Sequence, residues 1–107
     1  MTPCLVWCSI DTQENAQRLA HQLVADKVAA CVSILPQITS VYVWAGNTEQ
    51  AQECLLLIKS STECFDALSQ AIVQHHPYEV PEILMQTVTD GHPPYLAWLQ
   101  AHLQPQG

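Results

Sequence analysis

The side chains with the most chemistry to offer lie in one ten-residue run, HHPYEVPEIL from His75 to Leu84, and in five cysteines, Cys4, Cys8, Cys31, Cys54 and Cys64. Imidazole and thiolate are together suited to copper, zinc and other soft or borderline ions. His75 and His76 are adjacent, so in regular structure their side chains diverge, and Pro77 biases His76 toward an extended backbone. A loop has to bring both rings to one ion, or only one of them binds. Cys4 and Cys8 cannot share an ion, because four strand residues separate them by about 13 Å. Cys8, nearer the end of its strand, is the better placed of the two, since the segment after the second helix can approach a neighbouring strand end.

Structural roles compete for the same residues. Free cysteines commonly serve as small hydrophobes in a core. A His-His-Pro run at a helix end can set an imidazolium against the negative end of the dipole while proline stops the helix. His21, His92 and His102 carry no signal beyond such roles. Tyr42, Trp44, Tyr78 and Trp98 read as packing or subunit-contact residues. Lys59, closing an apolar run, is expected to snorkel or to pair with a carboxylate.

Other chemistries lack their scaffolds. The chain has three glycines, and no glycine-rich elbow surrounds any serine or cysteine, which argues against a nucleophilic hydrolase. No glycine-rich phosphate cradle is present, and no second carboxylate cluster accompanies the glutamates of HHPYEVPE. The expectation is a protein that is not an enzyme.

Charge narrows the partners further. Ten carboxylates face three basic residues, Arg18, Lys27 and Lys59, for a net charge of -7. Such a surface repels phosphate backbones and anionic headgroups, so neither nucleic acid nor membrane is expected as a partner, whereas cations are. Charged residues make up only 12% of the 107 against 49% hydrophobic ones, a shortage that points to surface hidden in an oligomer. The amino terminus, MTPCLVWCSI, has no basic lead-in to an apolar stretch, and no apolar run reaches transmembrane length. The cysteines are odd in number and form no C-x-x-C pair, so reduced thiols and a cytoplasmic address are expected.

The elements that must position these groups follow from periodicity. CLVWCSI, Cys4 to Ile10, reads as a first strand. Asp11 with Glu14 then offers a cap, and Ala16, Leu19, Ala20, Leu23 and Val24 recur at helical spacing in a helix ending near Lys27. AACVSILP and ITSVYVW form one long strand bent at Pro36. The turn signal Ala45-Gly46-Asn47 joins it as a hairpin to ECLLLIK, Glu53 to Lys59. The unbroken apolar run of that third strand implies cover on both of its faces. Ser60 with Glu63 is spaced to cap a second helix that stops before Pro77. EILMQTV, Glu82 to Val88, is a fourth strand, and PPYLAWLQAHL is a last helix opened by prolines. The order β-α-β-β-α-β plus a terminal helix is the α+β, ferredoxin-like split β-α-β sandwich.

Several stretches together resemble the CutA family of divalent-cation tolerance proteins: KVAACVSILP (Lys27 to Pro36), SVYVWAG (Ser40 to Gly46), LLLIKS (Leu55 to Ser60), HHPYEVPEIL and YLAWL (Tyr95 to Leu99). They occur in family order and spacing across nearly the whole chain. One departure is Ala45, where family members commonly carry glutamate. The resemblance implies one CutA-like domain over residues 1–107, with 104–107 as a frayed tail, assembled as a homotrimer through the edges of its sheets. It also implies copper, with other divalent cations open, as the bound ion, and Cys8, His75 and His76 as the ligands; Cys31 matches a further family cysteine and reads as core or accessory. The expected function is a role in metal-ion response and homeostasis. The rival reading is a signalling trimer similar to the PII proteins, binding a small molecule between subunits. The scarcity of basic residues weighs against phosphates as its ligand.

Overall fold

The computed structural model describes residues 1–105. Four strands and three helices alternate as β1 (Pro3–Ile10), α1 (Gln13–Ala25), β2 (Cys31–Trp44), β3 (Asn47–Ser61), α2 (Phe65–His75), β4 (Leu84–Thr87) and α3 (Pro93–Ala101). The sheet order is β2-β3-β1-β4, and every pairing is antiparallel. This is the ferredoxin-like arrangement expected from the order of elements, with β1 and β3 central and β2 and β4 at the edges.

The alternation along β1 decides which side of the sheet is core. Cys4, Val6, Cys8 and Ile10 are fully buried, and their neighbours are only partly covered. On β3 the same face presents Cys54, Leu56 and Ile58, each set opposite the β1 ladder. Against it pack Ala16, Leu19 and Leu23 of α1 and Leu68 and Ile72 of α2. Two helices on one face of the sheet therefore enclose the core, and Cys8 belongs to it. The other face, with Leu5, Trp7, Leu55 and Leu57, is half-covered.

Local chemistry shifts several boundaries. The cap of α1 is Thr12, whose Oγ1 accepts from the Asn15 amide at 3.1 Å, and not Asp11. Asp11 instead accepts from the Thr12 amide and from Asn15 Nδ2, bracing the same turn. At the second helix Ser61, and not Ser60, caps a short 3-10 turn, Thr62–Cys64, that leads into α2. Ser60 is buried and donates its hydroxyl to the Val28 carbonyl at 2.6 Å. Strand β3 keeps its alternation one residue longer than the apolar run suggests, which moves the cap along by one. Lys59 meets no carboxylate among the described residues: its ammonium donates to Ser33 Oγ and lies 3.9 Å from Cys31 Sγ.

The bend in β2 is a β-bulge. Leu35 faces Leu55 and Ile38 faces Glu53, so Pro36 and Gln37 stand against Cys54 alone, with Gln37 at a φ of 58°. Proline cannot donate to the ladder, and the extra residue absorbs the interruption. Beyond it the hairpin continues to the pair Trp44 and Asn47, leaving a two-residue turn in which Ala45 and Gly46 both have positive φ, 52° and 80°. That is the type I′ geometry favoured by the twist of paired strands. At the carboxyl end the Gln104 amide donates to the Lys27 carbonyl. Of the expected frayed tail 104–107, residues 106 and 107 lie outside the described residues. No helix among the described residues is long and apolar enough to cross a membrane.

Candidate metal-binding corner

Helix α2 ends at His75, and His76 is its C-cap, its backbone amide donating to the Ile72 carbonyl at 2.8 Å. The extended φ and ψ of His76, -83° and 139°, are those expected of a residue before proline. This switch from helix to extended chain sends the two adjacent rings apart. His75 stays exposed, whereas His76 turns inward and is only 8% exposed.

The destination of the His76 ring is the end of β1. Its Nε2 lies 2.8 Å from the Ser9 carbonyl oxygen, and the Cys8 thiol donates to the same oxygen at 3.7 Å. One carbonyl thus gathers the thiol and the imidazole singled out in the sequence. The other ring nitrogen, Nδ1, accepts from the Tyr78 backbone amide at 3.0 Å. A carbonyl only accepts and an amide N–H only donates, so the ring is the neutral tautomer with its proton on Nε2. Tyr78 also tilts its own ring against His76, centroids 4.8 Å apart, and sends its hydroxyl to Glu53 Oε2 at 2.6 Å.

The surroundings are electronegative. Burial first, and then the carboxylates of Glu82 and Glu53, push the Cys8 thiol up from its ordinary 9.0 to about 12. Burial, the hydrogen bond to Glu53 and the charges of Glu53 and Asp11 likewise raise the Tyr78 phenol. Cys8 is therefore a protonated core thiol in this state, and His76 uses both of its nitrogens. Cys8 and His76 are brought together; His75 is not brought to them. Among the described residues no group of three His, Cys, Asp or Glu side chains is arranged to hold a metal ion.

Glu53 and Tyr78 were not legible as parts of this corner. They lie 25 positions apart and meet only through the tertiary fold. The available signal was Glu53 itself, a carboxylate heading the apolar run CLLLI, which needs a polar partner wherever its strand is covered. Cys31 lies elsewhere, on the half-covered face beside Lys59.

Known proteins resemble this chain over most of its length. The family model described as CutA1 divalent ion tolerance protein matches residues 4–102. A divalent-cation tolerance protein CutA of Yersinia pestis (strain Pestoides F) is 48% identical over 99 residues, covering 92% of this chain and 83% of that one. Among solved structures, a divalent cation tolerance protein of Thermus thermophilus superposes with a TM-score of 0.93 at 37% identity, covering 95% of this chain and 99% of that one. CutA1 of Oryza sativa superposes with a TM-score of 0.96 at 35% identity, covering 97% and 95%.

Proposed function

The chain belongs to the CutA1 divalent ion tolerance family, and on that premise we propose that it binds copper or another soft divalent ion with Cys8, His75 and His76. In doing so it contributes to metal-ion response and homeostasis in the cytoplasm, without catalysing a reaction. The observation that carries this reading is the convergence of the Cys8 thiol and the His76 Nε2–H on the single carbonyl of Ser9. A soft thiolate and a borderline imidazole at one corner match copper in donor type. The carboxylates of Glu82 and Glu53 that face Cys8 favour a cation there.

The donor types fit a soft ion, and the arrangement described above does not yet present all three as one ligand set. Thiolate and imidazole bind metals only at lone pairs, so an ion has to compete with the proton on Cys8 and with both hydrogen bonds of the His76 ring. A bound ion would supply positive charge against the neighbouring carboxylates. Ligation therefore releases protons and weakens as acid restores them.

Assembly as a homotrimer is part of the same proposal. Strands β2 and β4 are the edges of the sheet, and the outer half of the β2-β3 hairpin exposes Val41, Val43 and Trp44, the last two at 70%. An exposed apolar strand with an open edge is a site for pairing with another chain.

The test is copper uptake under reducing conditions by the purified protein beside a Cys8→Ser/His75→Ala/His76→Ala variant, with the particle mass measured by sedimentation. Uptake that depends on the three residues supports the reading. Equal uptake by both proteins, or none, would sink it.

A further inference from the structure

We propose that Cys31 and Lys59 form an oxidation-driven covalent site on the open face of the sheet: peroxide converts the Cys31 thiol to a sulfenic acid, and the Lys59 amine captures it as a sulfenamide. The site stands apart from the metal-binding corner and does not depend on it. Cys31 opens β2 directly opposite Lys59 of β3, so the two side chains leave the same face of the sheet as cross-strand neighbours. Lys59 Nζ lies 3.9 Å from Cys31 Sγ and donates to Ser33 Oγ. No carboxylate among the described residues draws the ammonium elsewhere.

Access separates Cys31 from the other four thiols. Cys4, Cys8, Cys54 and Cys64 are at most 5% exposed, whereas Cys31 is partly open. Cys4, Cys8 and Cys54 also belong to the core on the helix side, and Cys31 shares the opposite face with Lys59. A sulfenic acid at Cys31 therefore has no second thiol beside it, among the described residues, to resolve it as a disulfide. The nucleophile in place is the Lys59 nitrogen.

The chemistry balances with one peroxide. An oxygen passes to sulfur as the peroxide O–O bond breaks, so S–H becomes S–OH and one water leaves. Lys59 releases its ammonium proton to solvent, and the nitrogen lone pair attacks sulfur. The S–OH bond breaks, the departing hydroxide takes an amine proton as a second water, and an S–N bond joins β2 to β3. Sulfur is oxidised by two electrons and the peroxide is reduced by two. The strand ladder fixes both backbones, and the flexible four-carbon stem of lysine closes the remaining gap. Holding the two groups together lets capture outrun further oxidation to sulfinic acid. A dithiol reductant reverses the bond by attacking sulfur and releasing the amine.

The test treats the purified, reduced protein with dilute hydrogen peroxide and maps the product by mass spectrometry. The intact mass should fall by about 2 Da, the two hydrogens lost in forming the S–N bond. Cleavage at Glu49 and Glu53, which lie between the two residues in sequence, should release peptides still joined through Cys31 and Lys59. Dithiothreitol should separate them and restore the mass. Lys59→Arg keeps the positive charge without a nucleophilic amine, so its Cys31 should proceed to sulfinic acid, about 32 Da heavier. Because the link is mapped in the parent chain, the proposal does not depend on how well that variant folds.

Parent protein whose Cys31 reaches sulfinic acid with Lys59 free overturns the site, as does a loss of about 2 Da that maps to two cysteines. A Cys31–Lys59 link about 14 Da heavier than the reduced chain retains the oxygen and overturns the condensation step.

Discussion

The His76 ring lies 2.8 Å from the carbonyl oxygen of Ser9, sixty-seven residues earlier in the chain, and so ties the end of α2 to the end of β1. The bond makes His76 a structural residue as well as a candidate ligand. His75, its neighbour in sequence, is exposed, and no side-chain hydrogen bond to its ring occurs among the described residues. The two histidines therefore respond differently to the same substitution.

His76→Ala should destabilise the metal-free protein by about 1–3 kcal/mol, because it takes the imidazole donor from the partly buried Ser9 carbonyl, leaving it only the long contact from the Cys8 thiol, and removes a packed ring. His75→Ala should change metal-free stability by less than about 0.5 kcal/mol, as befits an exposed side chain. Urea denaturation of both variants in the presence of a chelator checks the difference. Equal effects would contradict the distinct environments of the two rings.

Ser60 and Ser61 provide a second contrast between adjacent residues. Ser60→Ala deprives the Val28 carbonyl of its 2.6 Å hydroxyl donor in a fully buried position, at a cost of about 1–3 kcal/mol. Ser61→Ala removes the hydroxyl that accepts from the Cys64 amide, a cap typically worth about 1 kcal/mol. Denaturation midpoints of the two variants should fall in that order. The reverse order would mean that Ser60 is the cap after all.

These serines also show how far the sequence could be read. Alternating β1, amphipathic α1 and the prolines opening α3 announce their own conformations, because their signals are local. The hairpin was legible only in part: β3 begins at Asn47 and not at Glu53, since its first six residues are mostly polar and follow the exposed outer half of β2 with no apolar pattern of their own. The corner was harder still. Cys8 and the histidines stand out by type, but the carbonyl on which Cys8 and His76 converge belongs to Ser9, and the Tyr78–Glu53 bond spans 25 positions. Such contacts depend on which strand ends the topology places together.

The two-residue turn of the hairpin is under local strain at one position. Ala45 sits at a φ of 52°, in the left-handed region that costs an ordinary L-residue roughly 1 kcal/mol, whereas Gly46 at 80° occupies its region freely. Ala45→Asn supplies the residue that type I′ turns favour before glycine and should stabilise the protein by about 0.5–1 kcal/mol. Gly46→Val should do the opposite, although nothing crowds its Cβ position, because the φ alone is unfavourable. Thermal unfolding of the pair reads both signs in one experiment.

Alkaline pH should weaken the fold through the buried thiols. Burial, and then the charges of Cys64 and Glu63, raise Cys4 from 9.0 to about 11; burial, Glu82 and Glu53 raise Cys8 to about 12. Both folded values lie above the ordinary thiol value, so in that range the folded state keeps protons that the unfolded chain releases. Their contribution is fully present below about pH 9 and is lost as pH rises through the folded values near 11 and 12. Urea midpoints measured at about pH 8, 9.5 and 10.5 should fall progressively, and a Cys4→Ala/Cys8→Ala protein should show a shallower fall from its own lower starting stability. The same protonation makes Cys8 slow toward a thiol-labelling reagent near neutral pH, since the thiolate is the nucleophile. A Cys8 that labels as fast as the partly exposed Cys31 would contradict its place in the core.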